Sequence, residues 1–138
     1  MDYIKLISGQ PKPYSEAAFR VANPHTIYGH TIANRHLNAQ DVYRVRTLAE
    51  PTEVGKKAVK QALPTQVNGE WVLDWDLVAL DADEARALRN KLLAATDWTA
   101  NSDVTMSAEM TTYRQALRDI PSQAGFPDTV TWPQEPTS

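Results

Sequence analysis

The alternation of apolar and polar positions divides the chain into a β-rich first part and a helical second part. Tyr3 to Ile7 is β-branched and aromatic enough for a short strand, closed by Ser8-Gly9 and Pro11-Lys12-Pro13, and is expected at a sheet edge. Ser15 then caps a short helix running to Ala22, with Ala18, Phe19 and Ala22 sharing a face, and Pro24 stops it because the residue before a proline resists the helical region. His25 to Gln40 lacks periodicity and reads as a loop with one helical turn at Leu37 to Asp41. Val42 to Arg46 alternates as a strand, halted by Pro51.

Asn68-Gly69 supplies the two positive-φ residues of a type I′ turn between β-compatible runs, which predicts a hairpin. On its returning arm a period of two places Trp71, Leu73, Trp75 and Leu77 on a buried face and Val72, Asp74, Asp76 and Val78 on a wet one. Pro64 cannot donate to a ladder, so the outgoing arm is expected to be an edge strand or bulged. Asp81 with Glu84 three residues on forms a capping box, and Ala85, Leu88, Leu92 and Ala95 recur at helical spacing through Thr96. After a polar linker from Asp97 to Thr105, Ser107 caps a second helix with a stripe of Met110, Tyr113, Leu117 and Ile120 ending at Pro121; the two helices are expected to pair antiparallel. Pro127, Pro133 and Pro136 with Gly125 exclude helix and central strand from residues 122–138. Disordered tails are poor in aromatics, so Phe126, Val130 and Trp132 predict a segment lying extended across an apolar surface, its own helix pair or a partner. The fold class is therefore α+β: a β-rich portion with one short helix over 1–80, a helical hairpin over 81–121 and an extended tail over 122–138.

A length of 138 residues, 42% hydrophobic and 22% charged, suits one globular unit with tails. With fourteen Lys and Arg against seventeen Asp and Glu, the chain lacks the basic excess of a nucleic-acid binder. No apolar run approaches the roughly 18 residues of a membrane span, and no leader pattern opens the chain, so it reads as soluble and unexported. The absence of cysteine removes disulfides, thiolate metal sites and cysteine nucleophiles. The charge is unevenly spread: residues 1–69 carry nine basic and five acidic side chains, residues 70–138 five and twelve. That imbalance suggests two differently charged surfaces, with salt-sensitive binding through the acidic one.

Signals for catalysis are thin. His25, His30 and His36 fall close together, but their spacing fits no zinc signature and the nearest acidic residue is Asp41. Asp74 and Asp76 share a strand face, for which solvation is the commoner role. No Gly-x-Ser-x-Gly elbow and no Gly-rich phosphate loop is present, and no cofactor is expected. The four tryptophans suggest contact surfaces as well as core, with Trp71 and Trp75 favoured as core because they alternate with Leu73 and Leu77.

The run Arg89 to Thr99, then Tyr113 to Pro121, then Gly125-Phe126-Pro127 and Val130-Thr131-Trp132-Pro133, resembles in order and spacing the tail assembly chaperone and tail fibre assembly proteins of tailed bacteriophages. The likeness covers residues 86–136 and extends more weakly to the Asn68-Gly69 hairpin and to Tyr14-Ser15 and Asn23-Pro24. It implies a non-catalytic assembly factor, without cofactor or metal, that binds a tail fibre or other tail protein in the host cytoplasm, and no nucleic acid or membrane. The same name also covers components retained on the tail or fibre tip, which is the alternative reading; a metal-dependent hydrolase using His25, His30 and Asp41 is the third. Trp98, Tyr113, Arg114, Phe126 and Trp132, all within the segment carrying the resemblance, are the candidates for partner contact.

Overall fold

A two-residue turn at Ser8-Gly9, with φ of 53° and 77°, folds the start of the chain into a hairpin of β1 (Tyr3–Ile7) and β2 (Gln10–Tyr14). The computed structural model describes residues 1–137. Such a turn makes Ile7 and Gln10 a hydrogen-bonded pair, so alternation puts Pro11 and Pro13, opposite Leu6 and Ile4, at positions whose missing N–H would face away from β1. The prolines thus permit an edge strand rather than ending the sheet. Because β2 takes the edge, β1 is interior, contrary to the sequence expectation.

Among the described residues the elements run in the order β1, β2, α1 (Glu16–Ala22), α2 (Asn34–Asn38), β3 (Val42–Thr47), β4 (Lys56–Lys60), β5 (Thr65–Val67), β6 (Glu70–Leu73), β7 (Trp75–Ala79), α3 (Ala82–Ala95) and α4 (Ala108–Arg118). The architecture is α+β, as expected. A five-stranded sheet has the order β2-β1-β3-β6-β5, and β4 pairs with β7 in a separate two-stranded ribbon. Within the larger sheet, β3 and β6 run parallel, pairing Val45 with Trp71 and Thr47 with Leu73; the other pairs are antiparallel. Asn68 and Gly69, at φ of 50° and 82°, form the predicted turn between β5 and β6, and buried Pro64 precedes edge strand β5.

The returning arm is not one strand. Asp74 interrupts it: its carboxylate accepts the Trp75 backbone N–H at 2.8 Å, and beyond it the chain leaves the large sheet for the ribbon. The period of two is lost with it, since Val72 and Leu73 are both buried while Leu77 is exposed. Strand β4 was not expected.

Two compact units result: residues 1–51 with 59–76, and residues 52–58 with 77–137. In the first, Tyr3, Phe19, Ile32, Leu37 and Val42 form the core, with Tyr14 and Tyr28 packed on it. Ser15 caps α1 through the Ala18 N–H as predicted, whereas α2 lies one turn earlier than expected. Two arginines order the stretch around it. Arg20 donates to the carbonyls of Tyr28 and Gly29 at 3.2 and 2.8 Å, and Arg44 to the Ile32 carbonyl, the Asn34 side chain and the Tyr3 hydroxyl. Tyr3 in turn donates to Glu16 at 3.0 Å, and Arg20 bridges the same carboxylate.

In the second unit, Tyr113, Leu117 and Ile120 form a core flanked by Leu92 and Leu93 of α3 and by Phe126, Val130 and Trp132 of the tail. The capping box of Asp81 and Glu84 opens α3, and Ser107 caps α4 through the Met110 N–H. The tail is fastened by the Gln123 side chain, which donates to the Thr131 carbonyl at 2.9 Å and accepts its N–H at 2.8 Å. Arg86 lies over the Phe126 ring at 5.2 Å. Of the two surfaces foreseen for the tail, its own helix pair is the one observed.

Candidate functional site

The segment between the helices presents an aromatic side chain outward while hydrogen bonding holds its neighbours in. Thr96 caps α3 with its hydroxyl directed to the Leu93 carbonyl, and the Thr99 hydroxyl donates to the Thr96 carbonyl at 2.6 Å. These bonds wind Asp97–Ala100 into a single 3-10 turn. Thr96 and Thr99 are buried on its inner side, and Trp98 projects from the outer side, 60% exposed.

Arg114 secures this turn from α4. Its guanidinium donates to the Leu93 carbonyl at 3.0 Å, to the Thr96 hydroxyl at 2.7 Å and to Asp97 at 3.0 Å. The side chain is 8% exposed, while that of Asp97 is 67% exposed, so the arginine acts chiefly as a buried donor to the end of α3. Tyr113 is also buried, at 5%. Burial pushes its hydroxyl above the usual tyrosine range, and the charge of Glu135 adds to the shift.

The linker, the first turns of α4 and the end of the tail enclose three adjoining clefts of about 280, 340 and 460 Å³, the smallest of them beside Trp98. The first is lined by Trp98, Val104, Met106, Met110 and Pro136. The third runs along Tyr113 and Ala116 beneath Pro133. Glu109 and Glu135 are the charged residues lining the three. A fourth cleft of about 360 Å³, in the first unit, is lined by Arg44, Arg46, Tyr43 and Trp71, whose indole N–H lacks a partner.

Of the five candidate contact residues, Tyr113, Phe126 and Trp132 come together in one core, Arg114 points to the end of α3, and Trp98 stands outside. Sequence reasoning missed Val104, Met106, Glu109, Glu135 and Pro136 as cleft residues. Alternate prolines in an aromatic-bearing tail were the available signal, since such a segment rests on a surface and leaves gaps beside it. Trp71 and Trp75, read as core, are half-buried; the Trp75 indole donates to the Leu48 carbonyl at 2.9 Å, with Lys60 over its ring. His25 and His30 are exposed, and no group of three or more His, Asp or Glu that could hold a metal occurs among the described residues. Asp76 accepts from the Gln61 side chain at 2.9 Å.

Residues 82–137 match the model of the family described as phage tail assembly chaperone protein. This span covers α3, α4 and the tail, nearly the residues on which the resemblance rests. No curated protein and no solved structure matches the chain significantly.

Proposed function

We propose, from the match of residues 82–137 to the phage tail assembly chaperone family, that the protein is a non-catalytic adaptor that binds a tail fibre or other tail protein in the host cytoplasm. The observation that carries this reading is the coincidence of the family match with the α3, α4 and tail core of one compact unit. Physics makes the role intelligible. Fibre and tail chains expose strand edges and apolar surface before they assemble, and a small bound partner shields them. No helix among the described residues is long and apolar enough to cross a membrane.

The five candidate residues divide the work. Trp98 contacts the client, while Tyr113, Arg114, Phe126 and Trp132 hold the surface around it. Co-expression with each tail and fibre protein of the same phage tests the proposal. One client is expected to co-purify and to gain solubility; failure of all of them to do either refutes it. Mass spectrometry of purified particles then separates the roles. Absence from particles is expected of a transient chaperone, whereas fixed stoichiometry in particles makes the protein a retained tail component.

A further inference from the structure

The three clefts, the first of them beside Trp98, share residues and form one continuous surface: Met110 and Ser107 line the first and second, Glu109 the second and third, and Pro136 all three. Its apolar part is Trp98, Val104, Met106 and Met110. A tryptophan left 60% exposed beside two methionines is an unusual use of apolar surface, and methionine adapts to ligands of varied shape. The fold does not need Trp98 outward for its own core, which Tyr113, Leu117, Ile120, Phe126 and Trp132 already fill.

The charges are one-sided. No lysine or arginine lines any of the three clefts, and the two charged lining residues are glutamates. Asp97 adjoins Trp98 and Asp103 adjoins Val104 in sequence, both exposed. Arg114, the basic residue of this region, spends its donors inward on α3. The effect of Glu135 on Tyr113 is a sign of the same negative field.

Resting on the assembly-factor reading, we infer that this surface docks a segment of the client protein that carries a large apolar side chain flanked by lysine or arginine. The apolar side chain enters the cleft beside Trp98 and the methionines, and the flanking cations meet Glu109 and Glu135. Interfaces of this kind gain affinity from the buried anchor and gain rate and selectivity from the charges around it. A second copy of this chain is the poorer occupant, because a two-fold contact sets each Glu109 and Glu135 against the same acidic surface.

The test uses the full chain. Isotope-labelled protein is titrated with a short synthetic peptide carrying a central leucine and tryptophan flanked by lysines, and with versions bearing glutamates or a central serine pair. Shifts confined to residues 98–110 and 133–137, for the lysine peptide alone, are expected. Trp98→Ala and the charge-reversed pair Glu109→Lys with Glu135→Lys change exposed side chains, so circular dichroism should be unaltered. Each is expected to weaken the peptide and the co-purified client by about tenfold or more. A client retained in full by both folded variants overturns the inference and leaves the assembly role standing. A lysine peptide that shifts nothing at these residues overturns it too, as does concentration-dependent dimerisation abolished by Trp98→Ala, which gives the surface to a second copy. If the wild type retains no tail protein at all, it is the assembly role that fails.

Discussion

Replacing Arg114 by alanine removes two charge-assisted hydrogen bonds, a part-buried one to the Leu93 carbonyl and a buried one to the Thr96 hydroxyl, and the packing of a side chain that is 8% exposed. The Leu93 carbonyl keeps the Thr96 N–H at 3.1 Å and the Thr96 hydroxyl at 3.1 Å, so no backbone group is left wholly unpaired. Buried hydrogen bonds to a charged group are worth roughly 1.5–3 kcal/mol each, and they are coupled here through Thr96, so a loss of about 2–4 kcal/mol is expected for the second unit. Arg114→Met restores the stem and should recover about half of that loss. The ion pair contributes little, because Asp97 is 67% exposed and well screened; Asp97→Asn should cost less than about 1 kcal/mol. Urea titration by circular dichroism measures the order, read as a shifted midpoint at constant slope, and hydrogen exchange across Ala108–Arg118 places the loss in α4. Two results would refute the reasoning: Asp97→Asn as damaging as Arg114→Ala, or Arg114→Ala within about 0.5 kcal/mol of the wild type.

Gly55 and Gly69 share nearly the same backbone, with φ of 80° and 82°, but a Cβ at Gly69 meets open space while one at Gly55 runs into the Trp132 indole. Gly69→Ala should therefore cost about 1–2 kcal/mol from the left-handed backbone alone, and Gly55→Ala more; thermal melts should show that excess vanish in a Trp132→Ala background. Glu16 has its carboxyl held below the usual carboxylate range by the hydrogen bonds of Arg20 and then of Tyr3. Its ionised form is favoured by folding, so its contribution is present at neutral pH and lost as pH falls through the folded value; the stability difference between wild type and Glu16→Gln should shrink on acidification, which urea midpoints at a series of pH values measure. Truncation after Ser122 removes Phe126, Val130 and Trp132 from the core formed with Tyr113, Leu117 and Ile120, and should abolish cooperative unfolding of α3 and α4 by circular dichroism.

Local chemistry made the hairpin and the helices legible. Asn68-Gly69 needed two residues to predict a turn, and Asp81, Glu84 and Ser107 marked helix starts through side chains that satisfy nearby N–H groups. Where a residue's role is set by distant partners, the same reasoning stopped. The order around α2 rests on Arg20 and Arg44 reaching carbonyls eight to twelve residues away, which no periodicity records. Asp74 looked like a wet position in a continuous strand because its capture of the neighbouring N–H leaves no mark on the alternation. Within the candidate site, Trp98 and Trp132 were indistinguishable as residue types. What separates them is a 3-10 turn that turns one outward and the ring of the other lying against Gly55.

The charge pattern changes meaning once the chain is sorted by unit instead of by sequence half. The first unit holds seven basic and seven acidic residues, and the second seven and ten. Glu70, Asp74 and Asp76 join the first unit, where Glu70 pairs with Arg46 at 3.1 Å; Lys56 and Lys57 join the second, where Lys57 pairs with Glu84 at 2.8 Å. Much of the apparent polarity is thus neutralised inside each unit by pairs that cross the sequence midpoint, and two oppositely charged halves do not survive as surfaces. Among the acidic residues of the second unit, Glu109 and Glu135 line adjoining clefts that no lysine or arginine lines. Salt sensitivity of client binding should accordingly follow Glu109 and Glu135. The slope of affinity against ionic strength should flatten or change sign in the doubly reversed variant and stay unchanged when Glu70 is neutralised, because Glu70 already has its partner. Equal slopes in all three proteins would refute the assignment to Glu109 and Glu135.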